Sequence, residues 1–311
     1  MADLANMKKG QTYLGWKVDF TTPKGEPSFA SPDSISWRVF KNPVALGIGG
    51  IAAVLLEFAD ARIRSGVWDH STFKTDPVGR AKRTGTAAMV GVYGPQSAAR
   101  RVIQGVNNMH KRVVGHTPDG EAYDAQDVEL LDWVNATAIW GFMVAYDRFV
   151  SPLSEAEKDQ YFAEGHAVSA LYGVETPLNS VADFEAMMAN LAPRFEPHAI
   201  NTEFLEIMAS GKAAPGAPVW PQKAVVHAAV AILPPHVRAA LELGSEYDLT
   251  MAQNMALRIG GKLADIVPDL DSPAANAAVR LGLPRSFAWK SAKAQRRILR
   301  SSGLKEVVPA E

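Results

Sequence analysis

DVELLDWVNATAIWGFMVAYDRF, Asp127 to Phe149, is apolar on nearly every side when wound at ~100° per residue, with Leu131, Trp133, Ile139, Trp140, Phe142 and Met143 spread around it. A helix of that kind is surrounded by other helices, so the segment predicts the central helix of an all-α domain. Working outward, helix starts recur with their physical markers. Asn42-Pro43 and Asp76-Pro77 each place a capping side chain before the residue whose missing N–H costs nothing at the first position. Ser154-Glu155-Ala156-Glu157 fits a capping box and Gly173 a left-handed stop, which predicts a helix over 155–172. Further patterns predict helices over 180–191, 200–210, 223–243, 246–264 and 288–301, with a Pro/Gly loop at 213–218. Strand alternation is scarce and no internal repeat is visible. The reading is a single helical-bundle domain over 33–311. Before it, residues 1–32, polar and carrying Pro23, Gly25, Pro27 and Pro32, form an extended arm that lies over the surface of something else.

Composition narrows the function. The 311 residues are 47% hydrophobic and 21% charged, which excludes disorder and fibre. Lys+Arg 32 against Asp+Glu 33 leaves a formal charge of -1, so no net field draws the chain to nucleic acid. Cysteine is absent, which removes disulfides, iron–sulfur clusters, thiolate nucleophiles and covalent c-type haem. The start, MADLANMKKG, lacks the apolar stretch of a signal peptide, and the longest strongly apolar run, Val44 to Leu56, falls short of the ~20 residues of a spanning helix. A cytoplasmic location without a transmembrane segment is expected.

Gly47-Ile-Gly49-Gly50-Ile51-Ala52 matches a G-x-G-x-x-A dinucleotide fingerprint in letters only. That fingerprint needs a strand to deliver the glycines to a helix start, whereas Asn42-Pro43 opens the helix before them. Close helix packing is the better reading. There is no G-x-S-x-G, no H-E-x-x-H and no E-x-x-H pair, so the hydrolase and di-iron templates drop away.

Of the seven histidines, His110 stands apart. Across 96–114 the apolar stripe runs through Ala99, Val102, Ile103, Val106 and Val113, and His110 falls inside it, aimed inward. A buried imidazole needs a partner for each nitrogen. Two readings satisfy this: iron on one nitrogen with a carbonyl or Asn107 on the other, or a core histidine bonded to protein or water. Earlier in the chain, Arg80, Arg83 and Thr84 share one face of a short helix after Asp76-Pro77. Such a face either pairs with carboxylates such as porphyrin propionates and donates to a bound oxygen species, or is a solvated basic helix end.

The order of several fragments carries a resemblance. Leu55-Leu56-Glu57-Phe58-Ala59-Asp60 and Gly66-Val67-Trp68-Asp69-His70-Ser71 come first. Asp76-Pro77, Arg80-x-x-Arg83-Thr84, His110-x-x-Val113-x-Gly115, Tyr123 and Trp133-Val134 follow. Together, over about 40–175, they resemble the MpaB-like/rubber oxygenase family, some of whose members use a b-type haem to cleave polyisoprene or a terpenoid side chain. The resemblance implies a globin-like helix core around a non-covalent haem b with His110 as proximal iron ligand. Arg80, Arg83 and Thr84 match a family Arg-x-x-Lys-Thr segment whose lysine can reach the distal side of the iron. With Arg83 at that position there is no lone pair to give, so the sixth site is open, water-bound or taken by His70, and Arg83 becomes a hydrogen-bond donor. The chain departs from the family pattern at Asp60-Ala61, where many members read His-Pro, and at Asn135, where they carry His. The base used by rubber-cleaving members matches no single position here; Glu57, Asp60 and Asp69 all qualify.

The resemblance therefore implies a haem b-dependent oxygenase that takes O2 and an apolar small molecule, isoprenoid or otherwise lipophilic. Its pocket is expected to include Trp68, Phe73, Met89, Trp140 and Met143. Two alternatives remain at the level of sequence: a non-catalytic haem sensor or carrier in which His70 also ligates iron, and a metal-free helical protein that binds apolar ligands.

Overall fold

The computed structural model describes residues 11–13, 16–211 and 218–303. It is predominantly all-α. Two helices form its axis. Helix α2 (Pro43–Glu57) follows α1 (Ile35–Phe40) and is capped by Asn42, whose side chain accepts from the Val44 and Ala45 amides. Helix α6 (Val128–Phe149) is capped by Asp127. They cross at glycine: a Cβ on Gly49 would sit 2.6 Å from Gly141 O, and one on Gly141 would sit 2.5 Å from Gly49 O. The fingerprint-like glycines are thus a backbone contact inside a helix, as expected from Asn42-Pro43. Trp133, fully buried on α6, donates its indole N–H to Leu56 O at 3.3 Å.

Around this pair lie α3 (Ala61–His70), α4 (Pro77–Tyr93), α5 (Gln96–His110), α7 (Glu155–Glu164), α8 (His166–Tyr172), α9 (Val181–Leu191) and α10 (Ala199–Ala209). Asp76 caps α4, and the Ser154/Glu157 capping box is fully formed. The span 155–172 is two helices rather than one. Gly165 ends α7 and starts α8, and Gly173, at φ 89°, supplies the left-handed stop. Likewise 223–243 divides into α11 (Val219–Ile232) and α12 (Pro235–Ala240), because Pro234 and Pro235 cannot donate into a continuous ladder. Thr250 and Gln253 form a capping box that starts α13 (Met251–Ile266) later than expected, and α14 (Pro273–Arg280) and α15 (Ala292–Ser302) complete the body. The expected loop at 213–218 lies outside the described residues up to 217.

Among the described residues the β-structure is two antiparallel hairpins, β1 (Gln11–Tyr13) with β2 (Trp16–Val18) and β3 (Val114–His116) with β4 (Ala122–Asp124), and an isolated antiparallel bridge between Asp60 and Phe195. The first ten residues of the expected arm, and 304–311 at the other end, lie outside the described residues. The rest of the arm is held against the body by Arg280. This buried guanidinium donates to Phe20 O, Glu26 O, Ser28 Oγ and Tyr93 O at 2.7–2.8 Å, and burial lowers its pKa to about 10. No helix is long and apolar enough to cross a membrane among the described residues.

Candidate active site

Glu57 is the last residue of α2, a carboxyl at the end of an otherwise apolar helix. The chain places it deep in the protein, where burial raises its pKa to about 7, against the lowering effects of Arg80 and Thr137. Thr137 Oγ1 lies 3.4 Å from Glu57 Oε1 and 2.9 Å from Val134 O. The one hydroxyl hydrogen is shared between the Val134 carbonyl and the Glu57 carboxylate, so Thr137 gives the anion only weak support.

Arg80 sits one turn into α4 and within electrostatic range of both Glu57 and His110. Burial lowers its own pKa, as does Arg83. Its Nε is buried with no hydrogen-bond partner. His110 ends α5, half-buried, and its pKa is lowered by burial and then by the Arg80 charge, so the imidazole is neutral at neutral pH. No hydrogen bond reaches either of its ring nitrogens among the described residues. Glu57, Arg80 and His110 are thus surrounded by protein, yet each keeps some surface accessible to solvent. All three are half-buried groups that solvent or a bound molecule can still reach.

Two asparagines on neighbouring helices carry unpaired atoms as well. Asn107 donates its amide to Leu171 O at 2.8 Å and leaves Oδ1 buried without a partner; it does not bond His110. Asn135 Oδ1 accepts from Ser169 Oγ at 2.9 Å, and its Nδ2 is unpaired. Buried polar atoms are normally satisfied. Orphans on Arg80, Asn107 and Asn135, like those on Arg38, Ser71 and Asn201, are groups that a bound molecule or ordered water would complete.

The other expected site residues have partners of their own or face solvent. Arg83 turns back along its own helix, pairing with Asp76 at 3.5 Å and donating to Thr72 Oγ1. Thr84 is exposed. His70, exposed at the end of α3, places Nε2 3.2 Å from the Tyr123 hydroxyl of the β3–β4 hairpin. The three acidic candidates also separate. Asp60 is a buried cap of α3, held by Arg62 at 2.7 Å, and Asp69 is exposed and bonded to Tyr123; only Glu57 joins Arg80. Of the expected pocket residues, Phe73, Trp140 and Met143 belong to the packed core, where Trp68 stacks on Phe73 and Trp140 on Phe184. Met89 is partly buried against that core.

Among the described residues no group of three or more His, Asp or Glu could hold a metal ion by itself. A porphyrin brings four nitrogens of its own, so one imidazole suffices. A half-buried, neutral, unpaired His110 beside a buried guanidinium fits such a group.

The all-α chain thus brings a carboxyl, a guanidinium and an imidazole, linked electrostatically through Arg80, to the same part of the fold. The profile of the family described as ER-bound oxygenase mpaB/B'/Rubber oxygenase, catalytic domain, matches residues 37–263, and the chain belongs to that family. The family is one of oxygenases, which points to oxidoreductase chemistry. No curated protein and no solved structure shows significant similarity to it.

Proposed function

We propose that the chain is a haem b-dependent oxygenase acting on O2 and an apolar small molecule, with His110 holding the iron. The observation that carries this reading is the His110 ring: partly buried, kept neutral by burial and by Arg80, and without a hydrogen-bond partner for either nitrogen among the described residues. Haem b, when bound, supplies the oxygen chemistry. The chain's residues do the rest. His110 would hold the iron through a neutral ring nitrogen, and Arg80 would offer its Nε–H to a propionate of the bound group or to an anionic part of the substrate. Glu57, with a pKa of about 7, holds or accepts a proton at Oε1 near neutral pH, the range in which a general base is most effective. Thr137 Oγ1 orients that carboxyl. Arg83, tied to Asp76 and Thr72, fixes the start of the helix that carries Arg80, and Thr84 shares that helix.

The absorption spectrum of protein loaded with haemin tests the proposal. Wild type shows a Soret band that shifts on adding CO to the reduced form, and His110→Ala loses haem or changes that band. Colourless wild type after reconstitution, or an unchanged spectrum in His110→Ala, overturns it. Within a haem-binding chain, a spectrum indifferent to CO but made responsive by His70→Ala would instead identify a two-histidine carrier.

A further inference from the structure

Helix α13 is amphipathic in the wrong sense for a face turned to water. It buries Gln253, Leu257 and Gly261, while Met251, Met255, Ile259, Leu263 and Ile266 are each between 51% and 83% exposed. At ~100° per residue these five lie within an arc of about 120° opposite the buried side. Val267 and Leu270 prolong the patch past the helix end. Contiguous apolar surface of this extent marks an interaction site.

Charge says what covers it. Arg258 and Lys262 flank one edge of the arc, both exposed and with no carboxylate partner among the described residues, and Arg148 is near enough to feel the charge of Arg258. The opposite edge is Ala252 and Ala256. The acidic residue of the helix, Asp265, is turned inward to Lys41 and Tyr146. At the far end Trp289 donates to Ala264 O at 3.4 Å, and the helix that follows carries Lys293, Arg296, Arg297 and Arg300, also without carboxylate partners among the described residues. Asp269 and Asp271 lie in the loop there, the latter paired with Arg285. A second copy packed antiparallel would set the cationic edge against itself. Packed parallel, it would bury that edge on uncharged alanines. An anionic surface with an apolar interior suits both halves of the pattern.

We propose that α13 docks the protein on anionic phospholipid, lying in the plane of the bilayer. The five apolar side chains sit below the headgroups, and Arg258 and Lys262 lie at the phosphates. The helix, 16 residues or about 24 Å long, lies on the membrane and does not span it.

Flotation with phosphatidylcholine vesicles, with and without phosphatidylserine, tests this on the full chain. Wild type floats with the phosphatidylserine vesicles, less so at high salt. Met255→Glu/Ile259→Glu lowers the bound fraction by about tenfold or more, since each large apolar anchor is worth at least that factor. Arg258→Glu/Lys262→Glu abolishes the preference for phosphatidylserine. Both pairs are exposed, so thermal melts should match wild type; if the Glu pair melts lower, Ile259→Gln carries the same comparison. Absence of flotation, equal flotation of wild type and Met255→Glu/Ile259→Glu, or light scattering that shows a wild-type dimer broken by Ile259→Glu would each overturn the proposal. The last result would make the face an interface between copies.

Discussion

Glu57→Gln isolates the electrostatic cost of the site from its chemistry. In the folded chain the Glu57 carboxyl titrates at about 7 instead of its ordinary 4.5, because burial disfavours the anion more than Arg80 and Thr137 support it. Between those values the native state binds a proton that the unfolded chain has released. Stability from this group is therefore complete below about 4.5 and is lost as pH rises through about 7. At about 1.4 kcal/mol per tenfold in proton affinity, wild type above pH 8 should forfeit about 3 kcal/mol that a neutral amide of the same shape retains. Urea unfolding of both proteins from pH 4.5 to 8.5 measures this directly. Near pH 4.5 the two should lie close together, and the difference should open in favour of Glu57→Gln across the window. If the difference is flat with pH, Glu57 does not titrate as the geometry requires. On the proposed haem-dependent activity, the same substitution should lower turnover at pH 7 while leaving the Soret band of the haemin-loaded protein in place.

Three other perturbations reach different parts of the argument. Gly49→Ala forces a methyl group to within 2.6 Å of Gly141 O and should cost about 2–3 kcal/mol in urea unfolding; a change under about 0.5 kcal/mol would mean that the helices do not cross there. Arg80→Gln removes a charge that lowers the pKa of both His110 and Glu57, so both should rise when followed by NMR titration, and an unmoved His110 would place Arg80 elsewhere. Asp60→Asn leaves the buried Arg62 with Glu129 alone and weakens the cap of α3, for a loss of about 2–4 kcal/mol in chemical denaturation. A near-neutral result would assign that pair no structural weight.

Local signals made much of the fold legible. Asn42, Asp76, Asp127 and Ser154 each cap the helix that follows because a cap depends on residues within one turn of itself. The breaks at Gly165 and Pro234 were harder to see. Apolar periodicity continues through both, and only the backbone geometry shows where the ladder stops. The β3–β4 hairpin gave no alternation to read, since each strand is three residues long. At the site, the apolar stripe of α5 singled out His110, but Arg80 and Arg83 looked equivalent on one helix face. They separate only because Asp76 and Thr72 hold Arg83 while Arg80 is left facing Glu57. Glu57, Asn135 and Thr137 did leave a trace as polar letters in two apolar helices. That Thr137 rather than Asn135 meets Glu57 depends on the register of α2 against α6, and that is a tertiary fact.

That register gives the Gly49–Gly141 crossing a reach beyond packing. Glu57 lies eight residues along α2 from the crossing, about 12 Å by helical rise, and Thr137 one turn from it along α6. The crossing is a fulcrum and α2 a stiff lever: a tilt of about 10° at the glycines swings the carboxyl by about 2 Å, enough to part it from Thr137. A variant altered only at the fulcrum should thus detune the proton-holding group without changing any side chain that touches it.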